Sequence, residues 1–425
     1  MITALAALII LLIVFGLPVF AGITAAAMLG LYTSGVDLSA VAIEMFRLAN
    51  APVLLAIPLF TFAGYLLSEG GTSRRLVRFS RSLLGWLPGG LGVVALVSCA
   101  FFTAITGATG VTIIALGGLL LPALMSERYT ERFSLGLMTT SGSLGLHFPP
   151  SLPLILFGFV SGASIETLFA AGLIPGAIMV GILCLFSVFM GRKWRLESPG
   201  FSFSEFAAAI REAAWELPIP FLILAAIYTG FSTATETAAL TVGYVLFIKV
   251  IVYREIHPFS DLPRIMVESM EMVGGILIIL GGALGFTNYL VDAFVPMKIL
   301  GFMEGAIETR LGFLLVLNGF LILVGCMMDI FSAILIVVPL VMPLARKYGV
   351  DPIHLGVVFL ANLAIGYNTP PVGLNLFIAS SRFDKPIVTL YRATLPFLLL
   401  LLASLLLITY WPDLSLFLPR QLGLR

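Results

Sequence analysis

The 425-residue sequence is 60% hydrophobic and 11% charged, with a formal net charge of +1. No water-soluble core can bury that apolar share, and runs of about 18 or more apolar residues recur, so the chain reads as an all-α polytopic membrane protein. The near-neutral balance excludes a polybasic nucleic-acid binder; Cys99, Cys184 and Cys326 lie inside apolar runs without paired spacing, which excludes a disulfide or metal framework.

Along the chain, the run from Ile2 to about Tyr32 is too long for a signal peptide and lacks a cationic start, so it reads as a retained first helix with a kink at Gly16-Leu17-Pro18. An amphipathic stretch over 37–50 carries Glu44 and Arg47, read as interfacial. A second span covers 51–68, and the loop Ser73–Arg81 follows with four arginines. The run 89–125 is interrupted by the Gly/Thr-rich stretch Thr103–Thr112, which predicts a re-entrant hairpin of two half-length helices. A broken helix is expected over 133–161, then a span over 166–190. Between the halves come Arg192-Lys193-Trp194-Arg195, an amphipathic stretch near 203–215, and spans near 216–233 and 235–252. A second amphipathic stretch near 261–272 leads to a span over 273–292. A second hairpin over 311–345 is interrupted at Met328–Ser332, followed by a broken helix over 353–381 and a span over 386–410.

The two halves repeat. Pro149-Pro150 and Pro370-Pro371 are 221 residues apart, as are Pro122 and Pro343, Gly145 and Gly366, and Gly64 and Gly285. Each Pro-Pro follows by 27 residues a proline that ends an apolar run before a short charged loop. With the loop Arg74–Arg81 cytoplasmic by the positive-inside rule, counting crossings turns the second repeat opposite to the first. The count gives nine crossings and two hairpins, the N-terminus inside and the C-terminus outside, with Arg346-Lys347 a mild violation. The expected fold is therefore one of inverted repeats with two re-entrant helical hairpins and two broken helices. Its segments are 1–88 (N-terminal scaffold), 89–161 (first hairpin plus broken helix), 162–310 (scaffold and connecting helices), 311–383 (second hairpin plus broken helix) and 384–425 (C-terminal helix and tail).

Interrupted apolar helices at matching places in two halves point to a secondary transporter's binding site. Proline lacks an N–H and disfavours helix in the residue before it, so each helix must break at its Pro-Pro. A broken helix offers unpaired C=O groups at the end of its first half, suited to a hard cation, and unpaired N–H groups at the start of its second, suited to a carboxylate. Neutral oxygens suit Na⁺. One cage would combine Thr106, Gly107 and Thr109 with Ser141, Gly142, Ser143 and Gly145; the other, Asp329 and Ser332 with Gly366, Asn368 and Thr369. Substrate would meet His147, Pro150, Ser151, Pro371 and Asn375.

A plainer reading stands beside this one. The hydroxyls, and Asp329, would cap half-helices and satisfy broken backbone. Glu236 with Thr233 fits a capping box, and Asn375 could instead bond a neighbouring helix. No HExxH or intramembrane Asp pair occurs, so an enzyme is not expected. An open channel is disfavoured by the opposite-facing repeats. A self-sufficient cation-coupled carboxylate or ion exchanger of related architecture is the alternative.

The sequence resembles the large membrane subunit of tripartite ATP-independent periplasmic (TRAP) transporters. The resemblance is carried by Leu54–Phe60 with Ala63-Gly64, Leu144-Gly145 with Phe148–Ser151, Thr235–Ala239, Met328–Ile334 and Asn362–Ser380. It implies an elevator-type secondary transporter of the bacterial inner membrane, importing a small organic anion such as sialic acid or a dicarboxylate. It further implies Na⁺ as the coupling ion without other cofactors, a soluble periplasmic substrate-binding protein, and a small four-helix membrane subunit on a separate chain. His147 departs from the family pattern, which usually has an aliphatic residue there.

Overall fold

A computed structural model describes residues 17–196, 200–294 and 309–424, with isolated positions among 8–15 and at 298 and 307. The start of the expected first span, Gly16 and the Arg47 side chain lie outside the described residues. The described chain is helical throughout: α1 Val19–Thr33, α2 Ser39–Ala49, α3 Ala56–Ser68, α4 Thr72–Leu84, α5 Gly90–Thr106, α6 Thr109–Ser126, α7 Glu131–Ser141, α8 Leu152–Ser161, α9 Ile165–Trp194 and α10 Phe203–Glu212. There follow α11 Ile219–Tyr228, α12 Ala234–Leu246, α13 Asp261–Asp292, α14 Arg310–Met327, α15 Ile330–Lys347, α16 Pro352–Gly366, α17 Leu374–Phe383, α18 Ile387–Tyr410 and α19 Asp413–Gln421.

The hairpins α5–α6 and α14–α15 stand where the repeat places them, each followed by a broken helix, α7–α8 and α16–α17. The α7–α8 pair bends by 47° at its break. Seven described helices, four of them α9, α12 with its continuation, α13 and α18, are long and apolar enough to cross a membrane; the other three are hairpin legs.

Contacts between helices follow a twofold pattern. The second leg of each hairpin packs on the second half of the other repeat's broken helix, α6 on α17 and α15 on α8. Likewise α7 packs on α18 and α16 on α9. Lys385 Nζ lies 2.6 Å from Glu131 Oε1, and Arg81 Nη2 2.8 Å from Glu127 Oε1, so the base of the first hairpin shares a face with the end of the second broken helix. Tyr410 OH donates to Leu311 O at 3.4 Å and Thr167 Oγ1 to Leu424 O at 3.4 Å, which puts the base of the second hairpin on the face where α8 ends and α9 begins. The repeats are therefore inverted.

Several local expectations change. The hairpin legs are not half-length: α5 has 17 residues and α6, α14 and α15 have 18 each, about 26 Å of helix. Pro122 and Pro343 lie inside α6 and α15, within the expected hairpin ranges. The stretches 261–272 and 273–292 form one helix of 32 residues. The segment 216–233 carries a helix of only 10 residues, α11, with turns on either side.

The arginine-rich loop is a helix, α4. Spacing of Arg74, Arg75, Arg78 and Arg81 near 3.6 residues gives it an apolar and a cationic face. Its Arg75 enters a buried ion network. Arg75 Nη2 is 2.6 Å from Glu216 Oε1, Arg75 Nη1 2.5 Å from Glu255 Oε1, and Lys249 Nζ 2.7 Å from Glu255 Oε2. Lys249 also donates to Thr72 Oγ1 at 2.6 Å and to Glu69 O at 2.7 Å. The Arg75 guanidinium lies 3.9 Å from the Tyr253 ring centroid. Glu216 and Lys249 are fully buried, and Lys249 sits in the π-helical turn Phe247–Val252 that continues α12. This network fastens α4 to the α10–α11 connection and to the end of α12.

Two predictions follow from this architecture. In a background lacking Cys99, Cys184 and Cys326, single cysteines at the exposed positions Ser126 and Arg346 should react with a membrane-impermeant maleimide from opposite sides of the membrane. Labelling from one side would contradict the inverted repeats. The second concerns acid. Burial pushes the Glu255 carboxyl up, but hydrogen bonds from Arg75 and Lys249 outweigh it and hold it at about 2. Its contribution to stability should be complete above about 4.5, the ordinary carboxylate value, and vanish as pH falls toward about 2. Thermal unfolding across that range should show wild type and Glu255→Gln converging at the acid end.

Candidate functional site

Each hairpin tip meets the break of its own repeat. In the first, α5 ends at Thr106 with Gly107 at φ 68°, and α6 starts at Thr109. Glycine is suited to that left-handed corner. Thr103 Oγ1 donates to Gly142 O at 3.0 Å and lies 2.7 Å from Thr112 Oγ1, tying both legs to the break. A Cβ on Gly142 would lie 3.1 Å from Thr109 O, and one on Gly145 only 2.3 Å from Ala100 O. The tip carries on to α3, where a Cβ on Gly64 would lie 2.8 Å from Thr106 Cα. Thr106 Oγ1 and Ser141 Oγ donate back to Phe102 O at 2.9 Å and Met138 O at 3.1 Å, keeping their lone pairs for other partners.

In the second repeat Asp329 caps α15, accepting from Ser332 N at 3.0 and 3.2 Å. The plainer role is therefore present in the geometry, alongside any role toward a cation. Tyr367 OH accepts from Ile330 N at 2.5 Å, and Gly373 N donates to Cys326 O at 2.8 Å, so the break grips both legs at the tip. A Cβ on Gly366 would lie 2.6 Å from Gly325 C. Thr369 Oγ1 donates to Ile365 O at 2.8 Å.

The two breaks also touch each other. Ser143 Oγ donates to Ala364 O at 3.0 Å and accepts from Asn368 Nδ2 at 3.0 Å. Positions 143 and 364 are 221 residues apart, the repeat period, so the axis relating the halves passes through this contact. All the cage residues are brought within two adjoining tip-and-break units. Among the described residues, no cluster of three or more His, Cys, Asp or Glu is placed to hold a metal ion. The donor set is neutral hydroxyl, amide and carbonyl oxygen with Asp329 as its one charge.

The expected substrate contacts divide. Both Pro-Pro bonds are cis. Ser151 caps α8, its hydroxyl accepting from Leu154 N at 3.4 Å and donating to Leu146 O at 2.5 Å. Pro150 and Ser151 are buried, whereas Pro370, Pro371 and Val372 are exposed, as is Met327 at the second tip. The second break is the more exposed of the two, while a cavity of about 380 Å³ reaches Phe148 and Pro149 at the first. His147 is fully buried against α9, where Gly172 and Gly176 leave room for it. Neither ring nitrogen has a hydrogen-bond partner of normal geometry, although the Val357 backbone lies alongside. Asn375 stands in the first turn of α17, fully buried, and its Nδ2 donates to Asn368 Oδ1 at 3.3 Å.

Residues 6–414 match the family described as the tripartite ATP-independent periplasmic transporter, DctM component. The chain belongs to the DctM family. It is accordingly a multi-pass transporter permease and not an enzyme. It is 34% identical to the C4-dicarboxylate TRAP transporter large permease protein DctM of Rhodobacter capsulatus, covering 98% of each chain. It is 35% identical to the isethionate TRAP transporter permease protein DctMQ of Oleidesulfovibrio alaskensis, over 96% of this chain and 64% of that one. It is 31% identical to the ectoine/5-hydroxyectoine TRAP transporter large permease protein UehC of Ruegeria pomeroyi, over 96% of each. The Alcanivorax borkumensis YdaH transporter, whose crystal structure was described as having an unusual topology, shares the fold with a TM-score of 0.62 at 16% identity, over 88% of this chain and 87% of that one.

Sequence reasoning missed Thr103, Thr112 and Tyr367, which close the DctM tips onto their breaks. Thr103 and Thr112 bound the Gly/Thr stretch, and nothing in the spacing separates them from the tip threonines. A buried chain of polar groups beside the second repeat was also missed: Asn362 Nδ2 donates to Asn318 Oδ1 at 2.8 Å, Asn318 Nδ2 to Thr409 Oγ1 at 3.1 Å, and His354 Nε2 lies 3.1 Å from Thr409 O. It ties α14, α16 and α18 together.

The close approaches give a stability test. Gly145→Ala and Gly366→Ala drive a methyl into backbone and should each destabilise the protein by about 1–3 kcal/mol or more. Gly243→Ala, in open space within α12, should be neutral or stabilising by up to about 1 kcal/mol. Thermal unfolding in detergent checks the order; equal midpoints would contradict the packing.

Proposed function

We propose that the chain is the large permease subunit of a sodium-coupled importer of small organic anions, working by elevator movement of the hairpins and broken helices. The observation that supports this best is the pair of tip-and-break units, inverted relative to each other, in a DctM-family chain. Neutral oxygens gathered at the ends of α7 and α16 suit Na⁺, and the N–H poles of α8 and α17 suit an anion. The cages are Thr106, Gly107, Thr109, Ser141, Gly142, Ser143 and Gly145 on one side, and Asp329, Ser332, Gly366, Asn368 and Thr369 on the other. Substrate meets His147, Pro150, Ser151, Pro371 and Asn375. The second break, with its exposed prolines, is the approach route in this conformation.

The anion class rests on relatives named for C4-dicarboxylates and isethionate. Partners follow the family's tripartite description: a soluble periplasmic substrate-binding protein and a small membrane subunit, in a bacterial inner membrane. The face bearing α4, with its arginines, is cytoplasmic by the positive-inside rule.

Reconstitution tests the reading. Uptake into proteoliposomes should require a Na⁺ gradient, the small subunit and the binding protein. Robust uptake by this chain alone would favour a self-sufficient exchanger. Ser143→Ala, Thr109→Val, Ser332→Ala and Thr369→Val each remove one side-chain oxygen worth on the order of 1–3 kcal/mol, so half-saturating Na⁺ should rise roughly 5- to 150-fold. Uptake measured against Na⁺ at fixed pH decides; unchanged Na⁺ dependence in all four, or uptake driven by protons without Na⁺, would refute the cages.

A further inference from the structure

Arg74, Arg78 and Arg81 follow one another at four and three residues, so they share a stripe of α4, while Arg75 turns away into its ion network. The three line a cavity of about 610 Å³ at the base of the first hairpin. Leu119, Leu120 and Ala123 of α6 line it as well. Helix α6 ends at Ser126, so this apolar lining runs roughly 5 to 10 Å in from the end of the helix. Exposed Trp86 also borders the cavity, its Nε1 donating to Leu83 O at 2.8 Å. Guanidiniums on one element and leucines on the next match the division of a phospholipid into phosphate and acyl chain. The guanidiniums are not equally engaged. Arg78 pairs with Glu205 at 2.8 Å and with Glu212, and Arg81 pairs with Glu127 at 2.8 Å. Arg74 is exposed and has neither an ion pair nor a hydrogen bond among the described residues. The described lining holds these three guanidiniums against one carboxylate, Glu205; Glu127 and Glu212 lie outside it. Exposed ion pairs contribute little, so Arg81 can turn to a phosphate, and Arg74 has no bond to give up.

We propose that this cavity binds an anionic phospholipid, with Arg74 and Arg81 donating to its phosphate and Leu119, Leu120 and Ala123 holding the first part of an acyl chain. Arg78, set between two carboxylates, completes the wall without supplying charge. A zwitterionic headgroup fits less well, because its ammonium would meet Arg74 and the one lining carboxylate is already engaged by Arg78. The positive-inside rule puts α4 on the cytoplasmic side, where anionic lipids make the leaflet negative. The site is separate from the cages, which lie at the hairpin tips, at the other end of α6. Its occupant touches α4, which the Arg75 network fastens to the α10–α11 connection, and also a leg of the first hairpin. Bilayer composition thereby bears on how that hairpin is held.

The test follows Trp86 fluorescence in the full chain carrying Trp194→Phe, Trp215→Phe and Trp411→Phe, which leaves Trp86 as its one tryptophan. The protein is reconstituted in phosphatidylcholine bilayers, part of the lipid being replaced by phosphatidylglycerol or phosphatidylcholine with dibrominated acyl chains, which quench on contact. Brominated phosphatidylglycerol should half-quench Trp86 at a mole fraction roughly fivefold lower than brominated phosphatidylcholine, the advantage of about one arginine near an anionic lipid. Arg74→Gln, which breaks no bond within the described protein, should reduce that preference, and Arg74→Gln with Arg81→Gln should abolish it. Ala123→Phe fills the apolar part with the arginines intact and should abolish it too. Arg132→Gln, an exposed arginine outside the cavity, should leave it unchanged. If the single-tryptophan background does not fold, the rise in thermal-unfolding midpoint on adding phosphatidylglycerol to the four-tryptophan chain, compared among the same variants, carries the test. The site is overturned by equal quenching from both lipids, by a preference that survives the double arginine variant, or by an equal loss in Arg132→Gln. Erasure of the preference by millimolar inorganic phosphate would make the cavity a site for free phosphate and overturn the lipid.

Discussion

Everything in this structure answers to one constraint: two helices are interrupted in the middle of an apolar interior, and their exposed backbone groups must find partners there. Water does so at a protein surface; in lipid the protein must. The hairpin tips are the answer. Thr103 reaches Gly142 O, Tyr367 accepts from Ile330 N, and Gly373 N finds Cys326 O. Gly142, Gly145 and Gly366 are glycines because any side chain there would prevent the tip from arriving. The polar character that satisfies the break is also the chemistry the proposed cages call for, so the capping and binding readings of the same hydroxyls are not rivals.

The repeat was legible because its markers are residues with strong backbone consequences. Proline pairs, charged loops and glycines recur at one period, and the inversion follows from where arginines fall. The breaks and tips were legible for the same reason. What the sequence hid were contacts whose partners are far apart along the chain. Arg75 meets Glu216 across 141 positions and Glu255 across 180, and nothing local to either end announces the pair. Read as a topogenic signal, the arginine cluster looked like a loop; its spacing was that of a helix, and one of its charges was structural.

Tyr367 illustrates the same limit more sharply. It lies inside the most recognisable stretch of the chain, beside residues assigned to the site, yet an aromatic in an apolar run offers no sign that its hydroxyl will hold a hairpin tip. His147 is the converse case. Its departure from the family pattern was visible at once, but its surroundings were not: a sealed space against α9, opened by two glycines.

The repeats share a plan and differ in how their hairpin legs are joined. The legs of the first hairpin are joined by Thr103 and Thr112, and its base is clamped where Gly89 and Gly191 meet backbone to backbone. The legs of the second hairpin diverge, α14 lying on α16 while α15 lies on α8 and α13. A hairpin bonded leg to leg responds to load as a plate, whereas a splayed one responds as two rods that hinge at their shared tip. Two halves built on one plan thus brace their hairpins differently, and an inverted architecture need not be symmetric in its joints.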